Sequence, residues 1–435
     1  MRLVCRGRQI LFLSFFFLFF DLWPVPLRAQ VELGERGGEG PKFSVGFASF
    51  RSAGVHLSNL LFFYRIGYPQ LQFLKKRDGF LASYEISLIL YDRKGRQVNG
   101  QIWRDSLKVR IYEETKFEDK LLTGQKSLFA RPGSYRMEVK LTDLNTRQSL
   151  QQEGKVVIPS FHTAGWIVSD LVLADSVSTA GDYFPLRRGE WVIVPNAGGI
   201  FNDQEPHLFL YYEMYGLPLG SVIAEVYQIR GRKGAILTSD SLKMEVREDP
   251  SRRVHRFSIG DLEPGAYEVE VRLKAPFYGE KKLQKEFQMH WKDTAPSAKD
   301  YPTAVEQLRY IATRQELKRL KKSPSGKRRE LLRDFWRRRD PTPGTPKNEL
   351  EEEYYRRVGY SNAHFGGMEG GWRSDRGRVY IIYGRPDEVE RHPFETETTS
   401  YQIWYYLDKK LTFIFVDRHG FGDYELVSPL YPRYR

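Results

Sequence analysis

The chain has 435 residues, 41% of them hydrophobic, with 26 Tyr and 28 Phe, which describes globular, β-leaning material and excludes a largely disordered chain. At roughly 150 residues per domain this length suits about three domains. The formal net charge is +13, and Cys5 is the single cysteine, so a chain processed beyond it has no disulfide, no thiolate catalysis and no Cys-based zinc site.

The N-terminus reads as an export signal. Arg2, Arg6 and Arg8 precede an apolar run from Ile10 to Phe20 that Asp21 stops. The run is shorter than the roughly 20 residues a spanning helix needs, and cleavage is expected after Ala29, which makes 1–29 the signal peptide. Its removal takes four Arg and one Asp, leaving +10. Residues 30–41, with Gly34-Glu-Arg-Gly-Gly-Glu-Gly40, have the composition of a flexible linker.

From 42 to 160, alternating segments such as Tyr84–Tyr91 and Leu107–Tyr112 are separated by turn clusters, the pattern of an antiparallel sandwich. Residues 161–293 repeat it. Pro132-Gly-Ser-Tyr-Arg-Met-Glu-Val139 returns as Pro264-Gly-Ala-Tyr-Glu-Val-Glu-Val271, a domain-sized 132 residues later. Recurrent Pro-Gly turns also arise by chance in β proteins, but two tandem immunoglobulin-like β-sandwiches account for more of the pattern.

The period changes over 294–345. Thr303–Lys322 and Gly326–Arg339 carry apolar residues at helical spacing, separated by Pro324 and ended by the prolines from Pro341 to Pro346. Lys299–Arg339 holds 14 Lys/Arg against five Asp/Glu, so most of the basic excess is this helical connector. No base-reading motif accompanies it, and nucleic acid is not an expected partner. Peripheral contact of 299–339 with an anionic membrane or envelope surface is one reading; a connector whose apolar face packs on a neighbouring domain is the other.

The last part, 346–435, opens with a Glu-rich helix at Asn348. Arg378–Tyr383, Tyr401–Tyr406, Leu411–Val416 and Tyr424–Val427 read as strands, giving a small α+β domain. Phe335 to Glu349, then Gly371-Trp-Arg-Ser-Asp-Arg-Gly377 running on to Asp387, then Tyr401–Tyr406, resemble the GWxTD-domain family of exported bacterial proteins over about the last 100 residues. Tandem β domains ahead of that region also resemble the family's longer members. Ser374 stands where the family name has Thr, and both carry a hydroxyl. The resemblance implies a periplasmic or cell-envelope location and supplies no catalytic residues.

The chemistry visible in the residues is sparse. The eight histidines form no His-x-x-x-His, His-x-His or zinc-protease signature, and neither Gly-x-Ser-x-Gly nor a phosphate loop occurs. Asp375, Asp387, His364, His392 and His419 remain as acid/base candidates, and Asp417 and Asp423 as weak calcium candidates. No cofactor, metal or catalytic residue is expected. Ser374, Asp375, Gly377, Gly384, Pro386 and Asp387 are expected to shape turns around a central strand, with Gly377 at positive φ and Val379, Ile381 and Ile382 buried. Trp372, Arg373, Arg376, Arg385 and Trp404 are the expected binding surface, the Arg and aromatic mixture of interface hot spots. The expected role is binding or scaffolding through an envelope protein or anionic surface. The alternative is a hydrolase of envelope polymers acting through the C-terminal domain.

Overall fold

The computed structural model describes residues 34–36 and 40–429, apart from 55, 118–119, 163–164, 180–185, 232–233, 292–293, 295–297, 299, 346–347, 367–369 and 394–398. The expected signal peptide, 1–29, lies outside the described residues.

The first β unit comprises β1 (Gly34–Arg36), β2 (Phe43–Arg51), β3 (Ser58–Gly67), β4 (Leu74–Lys76), β5 (Gly79–Tyr91), β6 (Gln97–Val109), β7 (Leu121–Ala130), β8 (Gly133–Asp143) and β9 (Ser149–Ile158). One sheet has the order β1-β9-β8-β5-β4 with β6 also on β5, and a second is β2-β3-β7. Gly34–Arg36 were expected inside a flexible linker; instead they pair antiparallel with Gln151–Glu153, where the β9 edge offers unpaired backbone groups.

The second unit comprises β10 (Ile167–Val168), β11 (Val172–Ser178), β12 (Leu186–Arg188), β13 (Trp191–Pro195), β14 (Ile200–Asn202), β15 (His207–Tyr215), β16 (Val222–Arg230), β17 (Ile236–Glu245), β18 (Ser251–Ser258), β19 (Gly265–Ala275) and β20 (Gly279–His290). Its pairing repeats that of the first: β9-β8-β5-β6 becomes β20-β19-β16-β17, and β2-β3-β7 becomes β11-β15-β18. The repeated Pro-Gly-x-Tyr has the same job in both copies. Tyr135 Oη donates to Arg131 O at 2.9 Å, and Tyr267 Oη to Glu263 O at 2.7 Å, each four residues upstream. Each unit also joins its two sheets through a tyrosine pair, Tyr64–Tyr84 at 3.1 Å and Tyr212–Tyr227 at 2.8 Å.

Three apolar layers stack these four sheets. Phe62, Tyr64 and Ile66 of β3 pack on Ile86 and Leu88 of β5, while Leu61 and Phe63, on the opposite face, pack with Val172, Ile193 and Tyr211 of the second unit. Because both faces of β3 are covered, it reads as a continuous apolar run in place of an alternation. Similarly, Leu208, Leu210, Tyr212 and Met214 of β15 face Val269, Val271 and Phe287. Glu213 points back into the junction between the units, where Arg188 at 2.7 Å and the hydroxyls of Tyr211 and Tyr215, each at 2.6 Å, satisfy it.

Five α-helices follow among the described residues: α1 (Tyr301–Gln307), α2 (Arg314–Lys321), α3 (Ser325–Arg337), α4 (Glu349–His364) and α5 (Asp375–Tyr383). The connector α1–α3 buries Val305, Leu308, Leu320, Leu332, Phe335 and Trp336 in the same core as the second unit. Arg328 pairs with Glu263 at 2.6 Å and Arg329 with Asp203 at 2.5 Å, tying α3 to that unit. The apolar face of the basic arm is therefore already occupied by protein.

The C-terminal sheet is β21 (Glu388–His392), β22 (Ser400–Tyr406), β23 (Leu411–Asp417) and β24 (Glu425–Pro429), in sequence order and antiparallel. Residues Arg378–Tyr383, expected as the central strand, are helical in α5, and β21, which was not among the expected strands, takes its place in the sheet. Ser374 before α5 and Gly384 after it supply the caps of a helix, and packing overrides the strand preference of Val-Tyr-Ile-Ile-Tyr. Val379, Tyr380 and Ile381 are buried in succession while Ile382, expected buried, is 44% exposed on the outer face of the helix.

Candidate functional site

The site is built around two glycines that let backbones meet. A Cβ on Gly371 would stand 1.9 Å from Ser361 O, near the end of α4, and a Cβ on Gly377 would stand 1.9 Å from Gly371 O. The short 3-10 turn Gly371–Arg373 is thus wedged between the last turn of α4 and the first turn of α5. Gly377 is helical, so the reason for glycine there is space and not the expected positive φ; Gly384, at φ 86, does take the left-handed side.

Ser374 is the N-cap of α5. Its hydroxyl accepts from Gly377 N at 3.1 Å and donates to Gly371 O at 2.7 Å, a role a threonine hydroxyl would share. Asp375 begins the helix, where a carboxylate suits the dipole. One of its oxygens accepts from Leu426 N of β24 at 2.8 Å and the other meets Arg378 at 2.9 Å. Its charge therefore staples the helix to an edge strand. Asp387 does a parallel job at the far side, accepting from Leu407 N at 2.6 Å while its own N–H donates to Tyr405 O.

Trp372 is buried, at 3% exposure. Its N–H donates to Asn362 Oδ1 of α4, and its carbonyl accepts from Tyr310 Oη of the connector at 3.0 Å. Arg309 and Arg373 lie against the ring, 5.6 and 4.3 Å from its centre, and Arg373 pairs with Glu306 at 2.7 Å. Trp404 is also buried at 3%, in the layer between α5 and the sheet with Tyr380, Tyr406, Phe413 and Phe415. The expected binding surface is accordingly not assembled. Apolar rings that large gain more from the core than from solvent, and both tryptophans are spent there.

Arg376 is half-buried as well. It donates to Gly422 O at 2.9 Å and lies 4.1 Å over the ring of Tyr424; burial pushes its guanidinium below the usual arginine value. Of the five expected surface residues, Arg385 and Arg373 are exposed, and Arg373 keeps about a third of its side chain in solvent. Pro386 lies between them and Asp387 where the chain leaves α5 for β21.

Asp375 and Asp387 bond different parts of the module, and no bond joins either to a histidine among the described residues. His364 bonds Tyr360 O and stacks on the Tyr360 ring, whereas His392 bonds Glu390 at 3.0 Å and stacks on Tyr401. Asp417 accepts from Gly420 N and Gly422 N at 2.8 and 2.7 Å, so it organises its own loop. Among the described residues no group of three His, Cys, Asp or Glu is arranged to hold a metal ion.

Three partners of the motif were not singled out from the sequence. Arg357 of α4 donates to Ile381 O and Ile382 O, covering the free carbonyls at the end of α5. Asn362 and Tyr310 hold the backbone of Trp372. The early-acid, late-base pattern of α4 was readable, but nothing in it marks Arg357 as a cap for another helix.

Stacked β layers with a small helical and sheet module at their C-terminal end define a multidomain, mainly β protein. Residues 279–431 match the GWxTD domain, and the C-terminal region belongs to that family. The match begins with β20 and takes in the whole connector, which agrees with the core those helices share with Trp372. No curated protein matches the chain. Among solved structures it is similar to a tetra-tandem repeat in the extending region of a large adhesion protein, at 12% identity and a TM-score of 0.17, over 57% of this chain and 50% of that one. It is also similar to dimeric latent PorU from Porphyromonas gingivalis, at 11% identity and a TM-score of 0.21, over 60% of this chain and 20% of that one. The chain spans half or less of the length of both.

Proposed function

We propose that this protein is a scaffold of the bacterial cell envelope, exported by its N-terminal signal, in which two immunoglobulin-like domains carry a GWxTD module in a set orientation. The observation that carries the reading is the use made of Gly371–Asp375. Five consecutive residues bond the connector through Tyr310 and Glu306, α4 through Asn362, and β24 through Leu426. A motif spent on joining three neighbours rigidifies a display. The carboxylate a hydrolase would need is engaged by a backbone N–H and an arginine.

The immunoglobulin-like assignment of 42–160 and 161–293 is supported by the repeated strand pairing and by the tyrosine hydroxyl bonded to backbone four residues upstream in both copies. Binding then falls to exposed groups such as Arg385. The test is photo-crosslinking in native envelope with the reactive group at position 385, in wild type and in a Trp372→Ala variant that loosens the joint. One envelope partner, captured by the wild type and lost when the joint loosens, is the expected result. Hydrolysis of an envelope polymer by the folded protein, abolished by Asp375→Asn, would replace the scaffold reading with the hydrolase.

A further inference from the structure

We propose that the end of the second β unit opposite the helical connector docks on a lipid bilayer surface, with Phe277 and Tyr278 as the inserting groups. The β19–β20 hairpin turns at Pro276-Phe277-Tyr278. Phe277 is fully exposed, at 104%, and its φ is 68, a left-handed backbone that is uncommon for a bulky side chain. Tyr278 is 46% exposed. The turn is nevertheless well tied down: Tyr278 N donates to Ala275 O at 3.0 Å, and Trp166 Nε1 donates to Tyr278 O at 2.7 Å. The chain thus holds a large apolar ring outward, in a conformation it would not choose for its own packing.

The neighbouring turn adds to the same end. Strands β16 and β19 pair with Ala224 opposite Lys274, so the residues leading into β16 lie beside the hairpin tip. Leu219 there is 67% exposed and Val222 48%. Gly220 N donates to Val246 O, which brings Arg247, 83% exposed and paired with Glu245 at 3.5 Å, to the same end. On the hairpin itself Lys274 pairs with Glu280 at 3.3 Å and Lys282 with Glu270 at 2.7 Å, while the Lys281 ammonium lies 5.7 Å from the Trp166 ring.

A bilayer fits this surface better than a protein pocket does. The anchors Phe277, Tyr278 and Leu219 project from two separate turns, and a deformable interface can receive all of them at once. Aromatic rings settle at headgroup depth, and the flanking Lys281 places its ammonium among the phosphates. The geometry has a consequence for the display. The 11 residues of β19 span roughly 36 Å, and at the other end Trp291 Nε1 donates to Leu262 O where the connector begins. Docking by the tip leaves the connector, which begins at the opposite end of β20, on the side away from the membrane. This inference is independent of the scaffold reading, since vesicle binding and partner capture can each fail alone.

The test is co-sedimentation with vesicles of phosphatidylglycerol and phosphatidylcholine, and with phosphatidylcholine alone. The chain is begun at Gln30, which retains every described residue and omits the apolar run that would bind lipid by itself. Phe277→Gly should weaken binding at least about tenfold, while the melting temperature stays level or rises because glycine takes that φ without strain. Lys281→Glu should weaken binding to the anionic vesicles and leave binding to phosphatidylcholine alone unchanged. Ile102→Ser, at a 64% exposed position on β6 of the first unit, should change neither. Wild type that binds neither vesicle, or Phe277→Gly that binds like wild type, overturns the proposal. So does an envelope protein captured through Phe277 in the absence of vesicle binding.

Discussion

Gly377→Ala and Gly359→Ala are the same chemical change in two neighbouring helices, and the structure assigns them opposite signs. In an open helix, replacing Gly with Ala stabilises by about 0.5–1 kcal/mol, largely by reducing the freedom of the unfolded chain. Gly359 lies on the exposed face of α4 and a Cβ there meets nothing within 4 Å, so the full gain is expected. At Gly377 the new Cβ would stand 1.9 Å from Gly371 O, 2.9 Å from Gly371 C and 3.1 Å from Trp372 Cα. All three are backbone atoms, which no rotamer change can move. The turn and α5 would have to separate by more than about 1 Å, a cost of about 1–3 kcal/mol or more, from which the propensity gain is subtracted. The net is about 2 kcal/mol of destabilisation. A single unfolding free energy is ill-defined for a chain of several domains, so local amide exchange is the proper assay. Amides of 375–383 should exchange about 30-fold faster in Gly377→Ala, and those of α4 slower in Gly359→Ala. Slower exchange of α5 in Gly377→Ala would show that the close approach at Gly371 is wrong and that the motif has some other reason for its glycines.

Ser374→Thr should keep the cap and change stability little, whereas Ser374→Ala should cost about 1 kcal/mol, read from exchange at Gly377. Asp375→Ala leaves Leu426 N–H without its acceptor and should cost about 1–3 kcal/mol, with faster exchange at Leu426, while Asp375→Asn keeps an oxygen and should cost about 1 kcal/mol or less. Burial alone would raise the Glu270 carboxyl, but the Lys282 ammonium and the Arg272 and Arg230 guanidiniums hold it down at about 2. A carboxyl depressed in this way contributes stability above its unfolded value near 4.5 and loses it as pH falls towards about 2. Glu270→Gln should therefore melt below wild type at pH 7, and the gap should close across that window; a gap that persists at pH 2 would mean the carboxylate's charge is not what stabilises the cluster.

Much of the β architecture was legible because its signals are local. Pro-Gly-x-Tyr needs only five residues to write a turn, a strand start and a hydroxyl bond back to the turn, and its return 132 residues later announced the duplicated strand order. The connector was legible as helix for the same reason, although the expected single helix Thr303–Lys322 is two, because Thr313 and Glu316 bond reciprocally in a capping box that starts α2. Its destination was not. Basic residues with Leu, Phe and Trp on one face describe a membrane-surface helix and a packed helix equally well, and only the second unit's core, formed by residues up to 170 positions earlier in the chain, decides for packing.

At the motif the local signals disagreed with one another. Ser374 followed by Asp375, with Gly384 ten residues after the serine, is a capped helix; Val379-Tyr-Ile-Ile-Tyr383 is, by composition, a strand. Tertiary contacts settle it. Asp375 meets Leu426, 51 residues on, and Trp372 meets Tyr310, 62 residues back, and neither partner lies in the motif's own stretch of sequence. The same distance in sequence hides the role of the tryptophans, since a residue type enriched at hot spots is also the one that best fills a joint between three elements. The glycines carry the clearest lesson. Gly377 looks like a turn residue because glycine most often marks positive φ, yet here it lies within a helix and is required by a carbonyl six residues earlier. A glycine inside the first turn of a capped helix, following a second glycine and a tryptophan, is better read as a place where backbone meets backbone. On that reading the sequence Gly-Trp-Arg-Ser-Asp-Arg-Gly describes a joint before it describes a surface, and the search for what this protein binds moves to the exposed groups that the joint holds in place.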